Sequence, residues 1–330
     1  MISSARAAAY RILHRVESGR GFAVDLLQGE RVSALPEVDR RLVTELVMGV
    51  LRWRGDLDFR IEQLSGKPLT YFDPEVATVL RLGIYQIMFL DKVPKAAAVN
   101  EAVEMVKAAR KRSAAGLVNA VLRKCEPVRG LARAEHRAGV ERAGESSAPG
   151  PEALESARRS SPQWLLDRWE RRFGAEAAGA LAWSSVLAPR TCLRVAGGAG
   201  AREEIQRQLA GEGIETRVGE YGQQALVVGS GDVRSSSLAR DGRFAIQDEA
   251  SQLIAELVAP RPCQRVLDLC AAPGIKTAQL AGATRRGLVV AGDVSARRLR
   301  TMTRLLPAPL PTACGCSLYA WTLPARSLLG

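Results

Sequence analysis

Histidines, paired cysteines and long apolar runs are scarce in this 330-residue sequence. The two histidines and six scattered cysteines include no CxxC pair, so the ligand spacing of a zinc site is missing. We therefore predict no metal site and reduced cysteines, as in a cytoplasmic protein. The N-terminus lacks a signal-peptide pattern. The most apolar stretch, residues 76–90, contains Arg81 and Gln86 and is too short for a bilayer span, which predicts a buried helix and no membrane partner.

Basic residues clearly outnumber acidic ones. The chain has 47 Lys and Arg against 35 Asp and Glu, a net charge of +12, and 40 of the 47 basic residues are Arg. This excess favours a polyanionic partner such as a nucleic acid, because the planar Arg fork fits phosphate. An Arg-rich composition also arises from GC-rich coding sequence, so the charge alone leaves both explanations open.

Residues 1–127 have helical periodicity. The stretch 76–90 is apolar nearly all round, which predicts the central helix of an all-α bundle with amphipathic helices packed about it. Cations cluster at Lys107 to Arg112 and at Arg123 and Lys124. They would bind RNA phosphates, or they would simply lie where the helix macrodipole favours cations, at carboxyl-terminal ends.

Two further regions follow the bundle. Residues 128–160 are rich in Gly, Ser, Pro, Ala and charge, which predicts a flexible linker. Residues 161–242 open with a helix to about Phe173 and continue with short strands at 192–195, 215–218 and 225–228. A fourth strand is predicted at 243–246. This pattern predicts a small α+β domain.

Residues 243–306 have the pattern of the first half of a Rossmann-like α/β domain. Arg265 to Leu269 reads as a fully buried strand, and a second strand at 287–292 ends at Asp293. Between them lie a turn with small residues and the start of a helix, an arrangement that lets backbone approach an anionic or nucleotide ligand. The pattern fits an adenosine cofactor or a purely structural βαβ unit. The candidate cofactor-binding residues are Cys270, Ala271, Ala272, Pro273, Gly274, Ile275, Lys276 and Asp293.

The amino-acid sequences of these segments resemble those of known families. ARAAAYRIL, DRRLVTELVMGVLRW and EVATVLRLGIYQIMFL are similar to the NusB-like RNA-binding domain, a helical bundle. DLCAAPGIKT resembles the cofactor turn of S-adenosylmethionine-dependent RNA cytosine-5 methyltransferases, and SPQWLLDRW and RFAIQDEASQLIAELV resemble the family's preceding segments. Together they cover residues 3 to about 305 and indicate the 16S ribosomal RNA branch with an N-terminal NusB-like domain.

The resemblance implies that residues 270–276 contact S-adenosylmethionine, that Asp293 holds its ribose, and that 16S ribosomal RNA is the partner. Ile275 departs from the family's glycine, and it is compatible with the turn if its backbone is already helical. Lys276 would place a charge near the cofactor carboxylate or be a solvated side chain. Cys270 would be a nucleophile or, as we expect, a small core residue.

The resembling family methylates cytosine C5 with two cysteines, in TCS and PCSG motifs, and neither motif occurs in this sequence. We therefore assign no catalytic residue. Residues 307–330 read as an irregular tail, and the last 30 residues contain four prolines and no acidic residue. We expect a sheet with an open edge, and we hypothesise a truncated or frameshifted product that leaves the family's frame between Leu299 and Pro311.

Three functions are compatible with the sequence. The first is methylation of a cytosine C5 in 16S ribosomal RNA, and the second is RNA binding by a catalytically inactive fragment of such an enzyme. The third, an antitermination factor of the NusB kind, leaves residues 161–300 unexplained. The target cytosine and the oligomeric state are not predicted.

Overall fold

The structure is a computed structural model that describes residues 2–126, 149–195, 197–284, 286–305 and 317–322. The chain divides into two compact units, Met1–Ala188 and Pro189–Gly330.

The first unit is helical, as predicted. Its elements before residue 127 are α1 (Ser4–Glu17), α2 (Ala23–Leu27), α3 (Glu30–Ser33), α4 (Glu37–Arg52), α5 (Arg54–Ser65), α6 (Pro74–Phe89), α7 (Lys95–Ala108) and α8 (Ala115–Lys124). Short 3-10 turns occupy Leu69–Tyr71 and Arg112–Ala114. The predicted central helix is confirmed, because every residue of α6 from Val76 to Phe89 is buried.

One charged side chain of α6 is buried with its partners. Arg81, 4% exposed, donates to Glu17 and, at 2.5 Å, to Asp58 Oδ1. Burial raises the pKa of the Asp58 carboxyl, and the hydrogen bond from Arg81 opposes that rise. The ion pairs therefore satisfy a cation that an apolar helix could not otherwise bury.

The predicted linker is partly wrong, since α9 (Pro151–Ser160) is a helix that packs against α5. Its buried residues, Ser156 and Ala157, are small, and a Cβ on Gly55 of α5 would lie 1.9 Å from the Arg159 carbonyl oxygen. The helix is only ten residues long and has few apolar residues, Ala153, Leu154 and Ala157, so the polar and Gly-, Ser- and Pro-rich composition of the region concealed it. Residues 128–148 of the predicted linker lie outside the described residues.

Two more helices, α10 (Gln163–Phe173) and α11 (Ala175–Val186), complete the described part of the first unit. The Trp53 and Trp183 rings form a T-shaped pair with 6.3 Å between their centroids, and this contact joins α11 to the core of the bundle. These helices lie in the range that we assigned to the small α+β domain, whereas their packing places them with the bundle.

The second unit begins with the predicted α+β domain. Its antiparallel sheet has the order β2-β3-β1-β4, from β1 (Cys192–Val195), β2 (Glu215–Val218), β3 (Ala225–Ser230) and β4 (Phe244–Ile246). Helices α12 (Gly198–Gly211), α13 (Ser237–Arg240) and α14 (Glu249–Val258) belong to the same unit. The small apolar core includes Leu193, Ile205 and Leu226.

The second sheet is parallel, with the order β5-β6-β7. It comprises β5 (Arg265–Asp268), β6 (Leu288–Asp293) and β7 (Ser317–Thr322), with α15 (Ile275–Ala283) and α16 (Ala296–Leu305) as connections. The strand β7 corrects the prediction of an irregular tail. Its six residues are too few for a clear period, and their pairing with β6 comes from a tertiary contact.

The prediction that β5 is fully buried is also wrong. Leu267 is 60% exposed and Leu269 is 43% exposed. The reason is topological, because β5 lies at the edge of the sheet and one of its faces is uncovered among the described residues.

Candidate cofactor site

The turn after β5 has the conformation that its small residues allow. Gly274 caps α15 with φ +102°, a value that side-chain-bearing residues rarely adopt, and its amide donates to the Ala271 carbonyl at 2.7 Å. Ile275 is already the first residue of α15. The position that requires glycine is therefore occupied by glycine, and the β-branched Ile275 has an ordinary helical backbone.

Asp268 holds this turn against the helix, a role that was not predicted from the sequence. Its Oδ2 accepts a 2.8 Å hydrogen bond from the buried Thr277 hydroxyl, and its Oδ1 accepts from the Cys270 amide at 3.3 Å. The signal in the sequence was an acid at a strand end followed by a hydroxyl in the first turn of a helix. Asp268 thus fixes the two sides of the turn at once.

Asp293 ends β6 and is 1% exposed. Its Oδ1 accepts from the Ser295 amide at 2.8 Å and from Arg298 Nη2 at 2.8 Å. The Ala271 amide also donates to the Gly292 carbonyl at 2.9 Å, which ties the turn to the end of β6. The structure therefore brings the predicted turn and the predicted acid together, at the carboxyl ends of two neighbouring parallel strands.

Exposure differs along the turn. Ala271 and Gly274 are buried and Ala272 is half-buried, while Cys270, Pro273, Ile275 and Lys276 are exposed. The expectation that Cys270 is a core residue is wrong, because it lies on the turn just beyond an edge strand rather than inside the sheet. Lys276 is exposed in the first turn of α15, which is compatible with both of its interpretations.

The arrangement fits an adenosine cofactor. The first-turn amides of α15 have no carbonyl partner within the helix, and the small residues before them leave backbone accessible. A buried carboxylate at the neighbouring strand end provides acceptors for ribose hydroxyls. Among the described residues, no group of three or more His, Cys, Asp or Glu side chains could hold a metal ion.

Two lysines of the cation cluster in the helical unit form ion pairs with acidic side chains. Lys107, in the last turn of α7, pairs with Glu104 at 2.8 Å, and Lys111 pairs with Asp73 at 2.8 Å. Lys107 and Arg112 also line a surface groove of about 560 Å³. The position of Lys107 is one that the macrodipole favours, Lys111 lies beyond the end of α7, and phosphate binding by the cluster stays a prediction. None of the helices in the described parts of the chain has the length and apolar character needed to cross a membrane.

Three regions of the chain match protein families. Residues 3–127 match the NusB family, and residues 161–233 match the ferredoxin-like domain of RsmF/B-like methyltransferases. Residues 255–307, which contain the turn and Asp293, match 16S rRNA methyltransferase RsmB/F.

The names of similar proteins are consistent with these family matches. The probable ribosomal RNA small subunit methyltransferase B of Bacillus subtilis is 32% identical over 306 residues, 90% of this chain and 64% of that protein. The methyltransferase B of Pseudomonas putida is 34% identical over 297 residues, 89% of this chain and 64% of that protein. The crystal structure of PH0851 shares the fold, with a TM-score of 0.66 and 20% identity over 99% of this chain and 71% of that one.

This chain therefore spans just under two thirds of the length of these curated relatives. The order of the three matched regions is the order that the sequence resemblance predicted. The chain therefore combines a NusB domain with the ferredoxin-like and methyltransferase regions of the RsmB/F type.

Proposed function

We propose that this chain binds S-adenosylmethionine at residues 270–276 and Asp293, and that it serves methylation of a cytosine C5 in 16S ribosomal RNA. The observation that carries the proposal is the Ala271 to Gly292 hydrogen bond, which places the turn beside the buried Asp293. The family match supports the reaction class. When bound, the cofactor supplies an electrophilic methyl group.

Each residue has a distinct role in this proposal. Asp293 accepts the ribose hydroxyls, while Ser295 and Arg298 hold its carboxylate in place. Gly274 and the amides at the start of α15 bind the polar end of the cofactor, and Asp268 keeps the turn closed on the helix. A cytoplasmic location and an RNA partner follow from the same proposal, and the net charge of +12 favours the latter.

A different observation supports a second candidate function. Neither the TCS nor the PCSG motif is present in the sequence, so the thiolate that would add to cytosine C6 and its assisting cysteine are unassigned. In that case the chain binds ribosomal RNA and cofactor without transferring the methyl group.

One experiment separates the two functions. The purified chain is incubated with undermethylated 16S RNA and methyl-labelled cofactor, and cofactor affinity is measured by calorimetry in parallel. Label in the RNA supports the enzyme, and cofactor binding without label supports the second function.

An Asp293→Asn variant tests the site itself. We expect at least about tenfold weaker cofactor binding, because a charged acceptor of the ribose hydroxyls is lost. Asp241→Asn, at an exposed aspartate of the same unit, is the matched control and should bind normally. Equal affinities for the chain and both variants would refute the proposed cofactor site.

A further inference from the structure

Helix α10 contains two tryptophans with opposite surroundings. Leu166 is buried and Trp169 packs against the core of the helical unit, so these two residues mark the inward face of the helix. Trp164, in the first turn, is 65% exposed. Tryptophan is usually well buried, because its large apolar surface is unfavourable in water. The Trp164 ring is therefore an accessible surface that a flat ligand group could cover.

Three arginines lie on the same side of the helix as Trp164. At 3.6 residues per turn, Arg168 and Arg171 are within about 40° of Trp164 around the helix axis, and Arg172 is within about 80°. All three arginines are exposed. The helix rises by about 12 Å from Trp164 to Arg172. We call these four residues the Trp-Arg face, which combines one aromatic ring with three cations.

The positive charge of the Trp-Arg face is not neutralised by the rest of the described chain. Among the described residues, none of its three arginines forms an ion pair, and Arg171 Nε donates to the Asp167 backbone carbonyl at 3.1 Å. The two acids of α10 are already engaged, since Asp167 Oδ1 accepts from Gln163 Nε2 at 2.7 Å and Glu170 pairs with Arg158 of α9. Charge complementarity therefore favours an anionic ligand.

Unpaired RNA has both groups that this face fits. Its bases stack on aromatic side chains, and its phosphates pair with guanidinium groups. In paired RNA the bases stack on one another and the major groove is too narrow for a side chain to read, so the Trp164 ring reaches unpaired bases only. A lipid surface fits less well, because Leu166 and Trp169, which would enter it, are turned into the core.

We propose that the Trp-Arg face of α10 is a binding site for unpaired RNA, in which a base stacks on Trp164 and the three arginines contact the neighbouring phosphates. The site lies outside the proposed cofactor site and outside residues 3–127, which match the NusB family. The inference rests on the RNA partner of the proposed function, but it requires neither cofactor binding nor methyl transfer.

Variants of Trp164 test the stacking. Fluorescence anisotropy measures the affinity of the full 330-residue chain for a labelled oligouridylate of about ten nucleotides. Trp164→Ala should weaken binding about tenfold, whereas Trp164→Phe, which retains an aromatic ring, should stay within about threefold of the unchanged chain. A hairpin RNA duplex should bind the unchanged chain and Trp164→Ala equally. Because Trp164 is exposed, the variants should fold, as their circular dichroism would show.

The double variant Arg168→Gln and Arg171→Gln tests the phosphate contacts. The logarithm of the affinity falls with the logarithm of the salt concentration, by about 0.7 for each phosphate contact on a single strand, so this slope should decrease by about 1.4. The matched control is Arg20→Gln with Arg31→Gln, at two exposed arginines outside α10, and it should leave the slope unchanged. Phe22→Ala is the control for the tryptophan, since Phe22 is 80% exposed in the helical unit.

Photocross-linking locates the base directly. An oligouridylate that carries 5-iodouridine should attach to a peptide that contains Trp164, as mass spectrometry would show. Cross-links that form only elsewhere, or an affinity that Trp164→Ala lowers no more than Phe22→Ala does, would overturn the site.

Two further ligands separate this inference from its alternatives. If undermethylated 16S RNA binds the chain and oligouridylate does not, the site on α10 is wrong and the RNA partner of the proposed function stands. If neither RNA binds, both fail, while calorimetry with S-adenosylmethionine still tests the cofactor site. Polyglutamate that binds as tightly as oligouridylate and depends equally on Trp164 would assign the face to an acidic polypeptide.

Discussion

Arg298 of α16 donates a 2.8 Å hydrogen bond and ion pair to the buried Asp293 at the end of β6. The Asp293 side chain is 2% exposed, whereas that of Arg298 is 57% exposed. A carboxylate withdrawn from water is thus compensated by a cation that reaches it from the surface. Both this bond and that of the Ser295 amide use Oδ1.

We expect Arg298→Met to weaken cofactor binding severalfold and to lower the free energy of unfolding by about 1 kcal/mol, a value reduced because the arginine is largely solvated. Calorimetric titration and urea denaturation measure the two effects. Arg300→Met, at another exposed arginine of α16, is the control. If both variants behave alike, Arg298 does not position Asp293.

A second prediction concerns Ile275, where the resembling family has glycine. Because Ile275 has a helical backbone as the first residue of α15, Ile275→Gly should leave cofactor affinity within about twofold and destabilise the chain by about 0.5 kcal/mol. Gly274→Ala should instead cost about 1 kcal/mol or more and weaken cofactor binding, since Gly274 has φ +102°. A cofactor affinity that rises in Ile275→Gly would contradict this assignment of the turn.

The exposed thiol of Cys270 provides a direct probe of the proposed cofactor site. Iodoacetamide should modify Cys270 and Cys263, which are both exposed, and S-adenosylmethionine should slow the reaction at Cys270 alone. Peptide mass spectrometry follows each site separately, so Cys263 is the internal control. Equal rates at Cys270 with and without saturating cofactor would contradict contact at this residue.

Stability at alkaline pH should depend on Cys125, which is buried in the helical unit. Burial raises the pKa of its thiol from 9.0 to about 11. Because the folded-state pKa is the higher one, the thiol's contribution to stability is complete below pH 9 and is lost as the pH rises through about 11.

Urea denaturation between pH 8 and 11 tests this dependence. Over that range the free energy of unfolding of the chain should fall by about 2 to 3 kcal/mol more than that of a Cys125→Ala variant. This is the energy that corresponds to the rise in the thiol pKa from 9.0 to about 11. Parallel curves for the two proteins would show that the thiol ionises equally well in the folded state.

The helical bundle and the turn at residues 270–276 were predictable because each depends on local sequence. The all-round apolar pattern of residues 76–90 required a central helix, and Gly274 followed by a helical run required a turn. The buried Arg81 was less predictable, since it depends on Glu17 and Asp58 from two other helices.

Several features of the candidate site and its sheet could not be predicted from local sequence, because they depend on tertiary contacts. Asp268 acts through Thr277, nine residues later, and Asp293 through the fold of α16 onto β6. The helix α9 is short, and its closest approach to α5 is at Gly55, which a helical pattern within residues 151–160 does not show. The strand β7 exists through its pairing with β6.

The sequence by itself determined the order of the three regions, the helical character of the first, and the turn at residues 270–276, because periodicity and backbone freedom are properties of neighbouring residues. Only the tertiary structure decided that Asp293 lies beside that turn and that Leu267 faces solvent. Both depend on which strands pair and on which side their helices pack, and no short segment of the chain encodes that choice.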